Sequence, residues 1–216
     1  MDFFRVSWSL GSLIRTNAMT ERTFVILKPD TIQRGLVGEI TRRLERTGLK
    51  LVAAKMLKAD EATLLQHYGK DDGWYLEKGT KRVKLMKEAG KVVDGSRAPI
   101  EYGKDIIRGV VRYMQACPVV AMVWEGNQAV AVVKKLVGTT DPTASDVGTI
   151  RGDFQLDSYS LSDAEQRGIR NLIHCSDQPL EAQREIPIWF PSGELHDYPH
   201  VFDAILKDVN LDGTQE

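Results

Sequence analysis

Four short apolar runs divide the chain from residue 24 onward, and apolar residues at helical spacing fill most of the intervals between them. The runs lie at residues 24–27, within 49–57, at 118–126 and within 170–177. Runs of this length, bounded by proline, glycine or polar residues, are typical of buried strands. The three- and four-residue spacing between them indicates amphipathic helices. The predicted order is strand, helix, strand, helix, insertion, helix, strand, helix, loop, strand and helix.

Strands that alternate with helices in this way predict an α+β fold. A ferredoxin-like arrangement is the natural candidate, with four antiparallel strands in one sheet and the helices packed on one face of it. No internal repeat interrupts this pattern.

The segment 69–105 departs from the pattern because apolar residues are sparse in it. It holds nine Lys or Arg, seven Asp or Glu and several glycines. Its middle, "KGTKRVKLMKEAGK", favours a short basic helix, and charge-rich faces of this kind are mostly solvated. The segment is too short and too polar for a core of its own, so we expect a surface insertion rather than a second domain.

Residues 1–18 also stand apart, with two arginines, three serines and large apolar groups at irregular spacing. One interpretation is an amphipathic transit peptide, but Asp2 is unusual in such a segment. The other is an upstream start codon, with Met19 as the true beginning. Either interpretation leaves an extension of 1–18 outside the fold and a single domain from 19 to 216.

Composition and charge exclude several classes of protein. The formal net charge is −1, so no global field attracts nucleic acid or an anionic membrane. No apolar run approaches the roughly 18 residues that cross a bilayer. The two cysteines form no CxxC pair, which indicates a reducing compartment, and we expect a cytoplasmic location. The i, i+4 histidines of "HDYPH" are not expected to bind metal, because Pro199 interrupts a continuous helix.

Phosphate chemistry would need side-chain cations, since neither GxxxxGK[ST] nor GxGxxG occurs. Lys28 directly follows the first buried run, Arg151 lies in the turn "TIRGD", and Lys134 lies on the helix before the long loop. Each of them alone is more often a solvated cation. Lysine suits phosphate as a point charge and arginine as a two-pronged donor.

His174 is the candidate nucleophile, although a lone histidine at a strand edge is usually structural. Asn171, Ser176 and Glu185 accompany it along the chain. A carboxylate that binds one imidazole nitrogen fixes the tautomer and makes the other nitrogen more nucleophilic. No serine nucleophile motif such as GxSxG competes with it, so the histidine itself is positioned to attack phosphorus.

Five motifs occur in one order along the chain: "TFVILKPD", "QRGLVGEI", "PVVAMVWEG", "VGTIRGDF" and "NLIHCSD". Together they resemble the nucleoside diphosphate kinase family over about residues 20–199, apart from 69–105. The last motif satisfies that family's signature N-x-x-H-x-S-D.

The resemblance implies a ping-pong phosphotransferase, in which a nucleoside triphosphate phosphorylates a histidine and a nucleoside diphosphate then collects the group. By motif position, it implies that His174 carries the phosphoryl group, that Glu185 orients its ring and that Ser176 assists. It also implies a nucleotide-binding set of Lys28, Tyr68, Ile106, Lys134, Thr140, Arg151 and Asn171.

The resemblance further implies Mg²⁺ as cofactor, carried by the nucleotide phosphates and not by protein side chains. The expected partners are nucleoside tri- and diphosphates and further copies of the chain, in a hexamer or tetramer. Neither a membrane nor nucleic acid is expected.

Two positions depart from the family pattern. The family has phenylalanine where Ile106 stands, which reduces base stacking, and arginine where Lys134 stands, which removes a bidentate contact. Both predict a somewhat higher Michaelis constant for nucleotide. Two hypotheses are open for residues 70–104: a mobile cover over the nucleotide mouth, or a passive decoration or assembly contact.

The alternative function is a protein of the same fold that has lost catalysis and binds nucleotide or nucleic acid. A degenerate relative would have lost the histidine or its cations. His174, Lys28, Arg151, Asn171 and Glu185 are all present, which favours the enzyme.

Overall fold

A computed structural model describes residues 20–154, 157–165, 167–207, 210 and 212. The predicted extension, residues 1–18, lies outside the described residues. The elements in chain order are β1 (Thr20–Leu27), α1 (Pro29–Gln33), α2 (Val37–Glu45), β2 (Lys50–Leu57), α3 (Glu61–Tyr68), α4 (Asp72–Glu88), α5 (Pro99–Gln115), β3 (Val119–Asn127), α6 (Ala129–Val137), a 3₁₀ turn (Pro142–Ala144), α7 (Ile150–Phe154), α8 (Tyr159–Ala164), β4 (Ile173–Cys175), α9 (Pro179–Trp189), a 3₁₀ turn (Ser192–Glu194) and α10 (Val201–Lys207).

The four strands form one sheet in the order β2-β3-β1-β4, and every neighbouring pair is antiparallel. This confirms the predicted α+β, ferredoxin-like sheet. β1 lies inside the sheet, between β3 and the short β4. Its register pairs Ile26 with His174, so the end of β1 and the candidate nucleophile lie side by side.

Helices cover both faces of the sheet, not one as the sequence predicted. Phe24 and Ile26 of β1 face a core shared with α3, α5 and α9, while Val25 and Leu27 face a second core shared with α2, α6 and α7. Since successive side chains of a strand point to opposite faces, a continuous apolar run needs cover on both sides. The continuous apolar runs of β1 and β3 therefore already indicated that helices cover both faces of the sheet.

Residues 69–105 form most of a helical hairpin, which is more closely packed than their composition suggested. Trp74 and Tyr75 of α4 pack against the core beneath α3 and α5. Gly79 and Gly103 are buried where the two helices cross, and a Cβ on either would overlap the backbone of the other helix. Missing side chains, rather than apolar ones, allow this contact, so hydrophobic periodicity did not predict it.

α9 continues through Pro187 to Trp189, although the sequence predicted that Pro187 ends the helix. Proline removes one N–H donor, but Phe190 N–H still donates to Ile186 O at 2.8 Å and completes the last turn. This turn places Trp189 in the core beside the candidate site. Among the described residues, none of the helices has both the length and the apolar content that crossing a bilayer requires.

Candidate active site

A tight turn before β4 presents the candidate nucleophile. Leu172 has φ +63°, and Ile173 N–H donates to Asn171 O at 2.7 Å across it, which is a γ-turn. Three polar contacts hold this unusual conformation. Asp30 Oδ2 accepts from Leu172 N–H at 3.1 Å, while Lys28 N–H and Thr31 Oγ1 donate to Leu172 O at 2.7 and 2.6 Å. The turn is therefore fixed to the end of β1 and the start of α1.

His174 is held by two side chains that the sequence singled out. Its Nε2 lies 3.0 Å from Glu185 Oε1, and Ser176 Oγ donates to Glu185 Oε2 at 2.6 Å. Burial by itself raises the pKa of Glu185, but the hydrogen bonds from His174 and Ser176 lower it below its ordinary value. An anionic carboxylate only accepts hydrogen bonds, so His174 Nε2 carries the proton.

The other ring nitrogen of His174, Nδ1, is consequently the one with a free lone pair. It makes no hydrogen bond with any described residue, and 20% of the side chain is exposed. A neutral imidazole oriented in this way is a competent nucleophile toward an electrophile that enters from solvent.

Lys28 and Asn171 form a polar pair beside this histidine. Lys28 Nζ donates to Asn171 Oδ1 at 2.7 Å, and Asn171 Nδ2 donates to Thr140 O at 2.9 Å. Burial, and then the nearby positive charge of Arg151, lower the pKa of Lys28 to about 7. An incoming anion would favour the protonated ammonium and reverse this effect.

The sequence suggested that Arg151 contacts phosphate with two N–H groups, whereas in the structure its side chain binds the backbone around the site. Its guanidinium donates to four backbone carbonyls, those of Gly138, Thr139, Asn171 and Ile173, at 2.7 to 3.2 Å. Since arginine has five N–H donors, one is left, and the two-pronged phosphate contact is not available in this arrangement. Arg151 ties the loop after α6 to the turn before β4 and adds a buried positive charge.

An aromatic wall closes the site on the side of α3. Tyr68 lies 5.8 Å from the His174 ring, centroid to centroid, and burial raises its pKa well above the ordinary value. His67 lies closer, at 4.6 Å, with its ring nearly perpendicular to that of His174. Trp189 of α9 donates its indole N–H to His67 Nδ1 at 3.3 Å.

The remaining predicted residues lie farther from His174. Lys134 is about half exposed and pairs with Asp177 at 3.1 Å, just beyond the end of β4. Thr140 contributes its backbone carbonyl, which accepts from Asn171 Nδ2 at 2.9 Å. Ile106 lies on α5, where it is partly buried. Its predicted contact with the base of the nucleotide stays a prediction.

Three potential metal ligands meet at the site, since His67, His174 and Glu185 offer atoms within 4.8 Å of one another. The hydrogen bond from Trp189 argues against a metal there. His67 Nδ1 accepts it, so in the neutral ring Nε2 bears the proton and has no lone pair to offer. The cluster is better suited to hydrogen bonding than to ligation.

Sequence reasoning missed His67, Asp30 and Tyr113. The Tyr113 hydroxyl donates to Asp30 Oδ1, which helps hold the carboxylate that supports the Leu172 turn. A signal for His67 existed, because Leu64, His67 and Tyr68 have the spacing of one helix face. It also missed Cys175, whose pKa burial raises to about 11, so that its thiol stays protonated and inert.

Comparisons with known proteins agree with this geometry. The family model described as nucleoside diphosphate kinase matches residues 21–89 and 99–195. The unmatched internal segment, 90–98, is much shorter than the predicted insertion. A nucleoside diphosphate kinase of Pyrobaculum aerophilum is 46% identical over 178 residues, which is 81% of this chain and 97% of that protein. Human nucleoside diphosphate kinase B is 41% identical over 84% of this chain and 93% of its own length.

Solved structures give the same result. A crystal structure of an NDP kinase from Pyrobaculum aerophilum superposes with a TM-score of 0.75 at 44% identity, covering 82% of this chain and all of that one. A transition-state mimic of the Borrelia burgdorferi nucleoside-diphosphate kinase, with bound vanadate and ADP, superposes with a TM-score of 0.70 at 34% identity, covering 87% and 96%. The chain belongs to the nucleoside diphosphate kinase family and is a phosphotransferase of that kind.

Proposed function

We propose that His174 carries the transferred phosphoryl group between a nucleoside triphosphate and a nucleoside diphosphate. The observation that supports this most directly is the orientation of its ring. Nε2–H is bound to Glu185, and Nδ1 is left without a partner among the described residues. A nucleophile with a fixed tautomer beside two buried cations is what phosphoryl transfer to nitrogen needs.

In the first half-reaction, the lone pair of Nδ1 forms the N–P bond while the bond from the γ-phosphorus to its bridging oxygen breaks. The diphosphate leaves with that electron pair. The second half-reaction is the reverse, with a different diphosphate. The loose transition state spreads negative charge over the phosphoryl oxygens, and Lys28 and Arg151 stabilise it as positive charges fixed before the reaction.

The side chains fit a divalent cation that arrives with the nucleotide, and we propose Mg²⁺. The carboxylates around the site are engaged: Glu185 with His174 and Ser176, Asp30 with Tyr113, and Asp177 with Lys134. Phosphate oxygens and water are the ligands that Mg²⁺ prefers in such sites. When bound, the ion neutralises charge on the phosphates that the nucleotide brings.

The Borrelia relative with bound vanadate and ADP supports placing a nucleotide and a phosphoryl group in this site. For this chain we further propose a cytoplasmic location and a homo-oligomer, a hexamer or tetramer. Nucleotide binding follows from membership of the family, whereas the number of chains in the oligomer is a proposal.

The test is a phosphoenzyme assay with γ-labelled ATP and no acceptor. We expect acid-labile, alkali-stable label on the wild-type chain and none on His174→Ala. His200→Ala is the matched control, because this histidine lies outside the site next to Tyr198 and should leave the label unchanged.

The label should also pass to an added nucleoside diphosphate. A folded wild-type chain that binds ADP but takes no label would instead indicate the catalytically inactive binding protein. Label that persists on His174→Ala would place the carrier at another residue.

A further inference from the structure

His67 holds a buried polar atom whose surroundings are unusual. The side chain is 2% exposed, and its Nε2 has no hydrogen-bond partner among the described residues. A carboxylate oxygen, Glu185 Oε1, lies 3.8 Å from it. This is the same oxygen that binds His174 Nε2 at 3.0 Å. A second imidazole nitrogen therefore lies 3.8 Å, beyond hydrogen-bond distance, from the carboxylate that orients the nucleophile.

The tautomer of His67 follows from its other contact. Trp189 N–H can only donate, and it lies 3.3 Å from His67 Nδ1. His67 must also be neutral, because burial, with the nearby positive charge of Arg184 adding to it, lowers its pKa far below the ordinary value. A neutral ring that accepts at Nδ1 bears its hydrogen at Nε2. The nitrogen that bears it is the one 3.8 Å from Glu185 Oε1.

We propose that His67 is a positioning residue: its Nε2–H keeps Glu185 an anionic acceptor, which fixes His174 as the Nε2–H tautomer. This inference rests on the proposed role of His174. The alternative state shows why it matters. A protonated Glu185 would donate to His174 Nε2, the histidine proton would move to Nδ1, and the nucleophilic lone pair would be lost.

His67 differs from the other groups that contact Glu185. Ser176 Oγ binds the opposite oxygen, Oε2, at 2.6 Å. Arg184 Nη2 lies 3.5 Å from Oε1, but its side chain is 45% exposed, so water shares it. Ser176 is buried and neutral as well, but it donates to Oε2; of the two groups near Oε1, His67 is the one that is both buried and neutral. It supplies a donor dipole without placing another cation against His174.

Two substitutions separate the effect of the N–H donor of His67 from the effect of its ring packing. His67→Phe keeps a ring of similar size but has no donor, whereas His67→Gln keeps an N–H near the Nε2 position and loses the ring. If His67 acts as a donor, single-turnover phosphorylation by ATP falls about tenfold or more in His67→Phe and is largely retained in His67→Gln. ADP affinity should change less than twofold in both. Thermal stability should show the opposite order, with the phenylalanine variant the more stable.

The ¹⁵N signals of His174 give an independent measurement. We expect a single Nε2–H tautomer in the wild type and in His67→Gln, and a mixture in His67→Phe. An unchanged tautomer in His67→Phe, or a phosphorylation rate that follows the order of thermal stability, would overturn the proposal. His174→Ala in the same assay keeps the two proposals apart. If that variant is inactive while His67→Phe reacts at the wild-type rate, only the role of His67 fails.

Discussion

At the scale of single residues, Lys28 shows how burial and function oppose each other. The residue is 8% exposed and lies near Arg151, and its pKa of about 7 lies far below the ordinary 10.5. In the free enzyme above pH 7 much of Lys28 is neutral. Phosphates bound beside Lys28, as proposed, favour the charged form, so under this proposal nucleotide binding takes up a proton.

The prediction is a pH-dependent affinity for ADP. As the pH rises through about 7, protonating Lys28 costs more and ADP binds more weakly to the free enzyme. Calorimetry at pH 8 in two buffers of different ionisation enthalpy should show uptake of up to about one proton. Lys28→Arg, which stays charged, is the control and should show less uptake. Equal binding enthalpies in both buffers for the wild type would contradict this.

The lowered pKa of Lys28 in the free enzyme also makes the free energy of unfolding depend on pH. The folded-state pKa of Lys28 is lowered, so between about pH 7 and 10.5 the unfolded chain holds more protons than the folded one. The contribution of Lys28 to the free energy of unfolding therefore rises with pH across this window. Below pH 7 its destabilising effect is fully present, and the site retains the lysine despite it.

At the scale of secondary-structure elements, the crossing of α4 and α5 depends on two glycines. A Cβ on Gly103 would overlap Tyr75 O, and one on Gly79 would overlap Pro99 O. Both obstacles are helix backbone, which cannot move aside as a side chain can. Lys91 Nζ, just after α4, donates to Asp163 O at 3.1 Å, so this hairpin also contacts α8.

We expect Gly103→Ala to lower the free energy of unfolding by about 2 kcal/mol or more, because the helices must separate. Gly109→Ala in the same helix is the matched control. Its Cβ would meet nothing nearer than Gly168 N at 3.9 Å, so higher helix propensity should stabilise it by about 0.5–1 kcal/mol. Thermal melting at one protein concentration compares them. Equal effects of the two substitutions would show that the crossing does not control stability.

Elements differ in how well the sequence predicted them. β1 and β3 were evident because their apolar runs are continuous. The α4–α5 packing was not evident, since it depends on backbone approach at glycines. The residues of the site likewise differ in how far the sequence predicts them. Motif position identified His174 and Lys28, whereas the role of His67 depends on an indole N–H that only the folded chain brings to it.

At the scale of the whole molecule, the site joins segments that are far apart in sequence. Lys28 follows β1, Thr140 follows α6, Arg151 lies on α7, and Asn171 precedes β4. Their contacts span up to 143 positions along the chain. A nucleotide that binds across them recognises only the folded protein and therefore stabilises the whole fold.

This gives a prediction about global stability. At a hundred times its dissociation constant, ADP with Mg²⁺ should add about 2.7 kcal/mol, which raises Tm by about 5–10 °C for a chain of this size. His174→Ala should keep this shift, because the histidine serves transfer rather than diphosphate binding. Lys28→Met should lose most of it at the same ligand concentration, since the buried ammonium that faces the phosphates is gone.

Lys55→Met is the matched control, because Lys55 pairs with Glu194 outside the site and its loss should leave the shift intact. Protein concentration must be the same throughout, since assembly also changes Tm. If Lys28→Met were stabilised by ADP as strongly as the wild type, the diphosphate would be bound somewhere other than the cations beside His174.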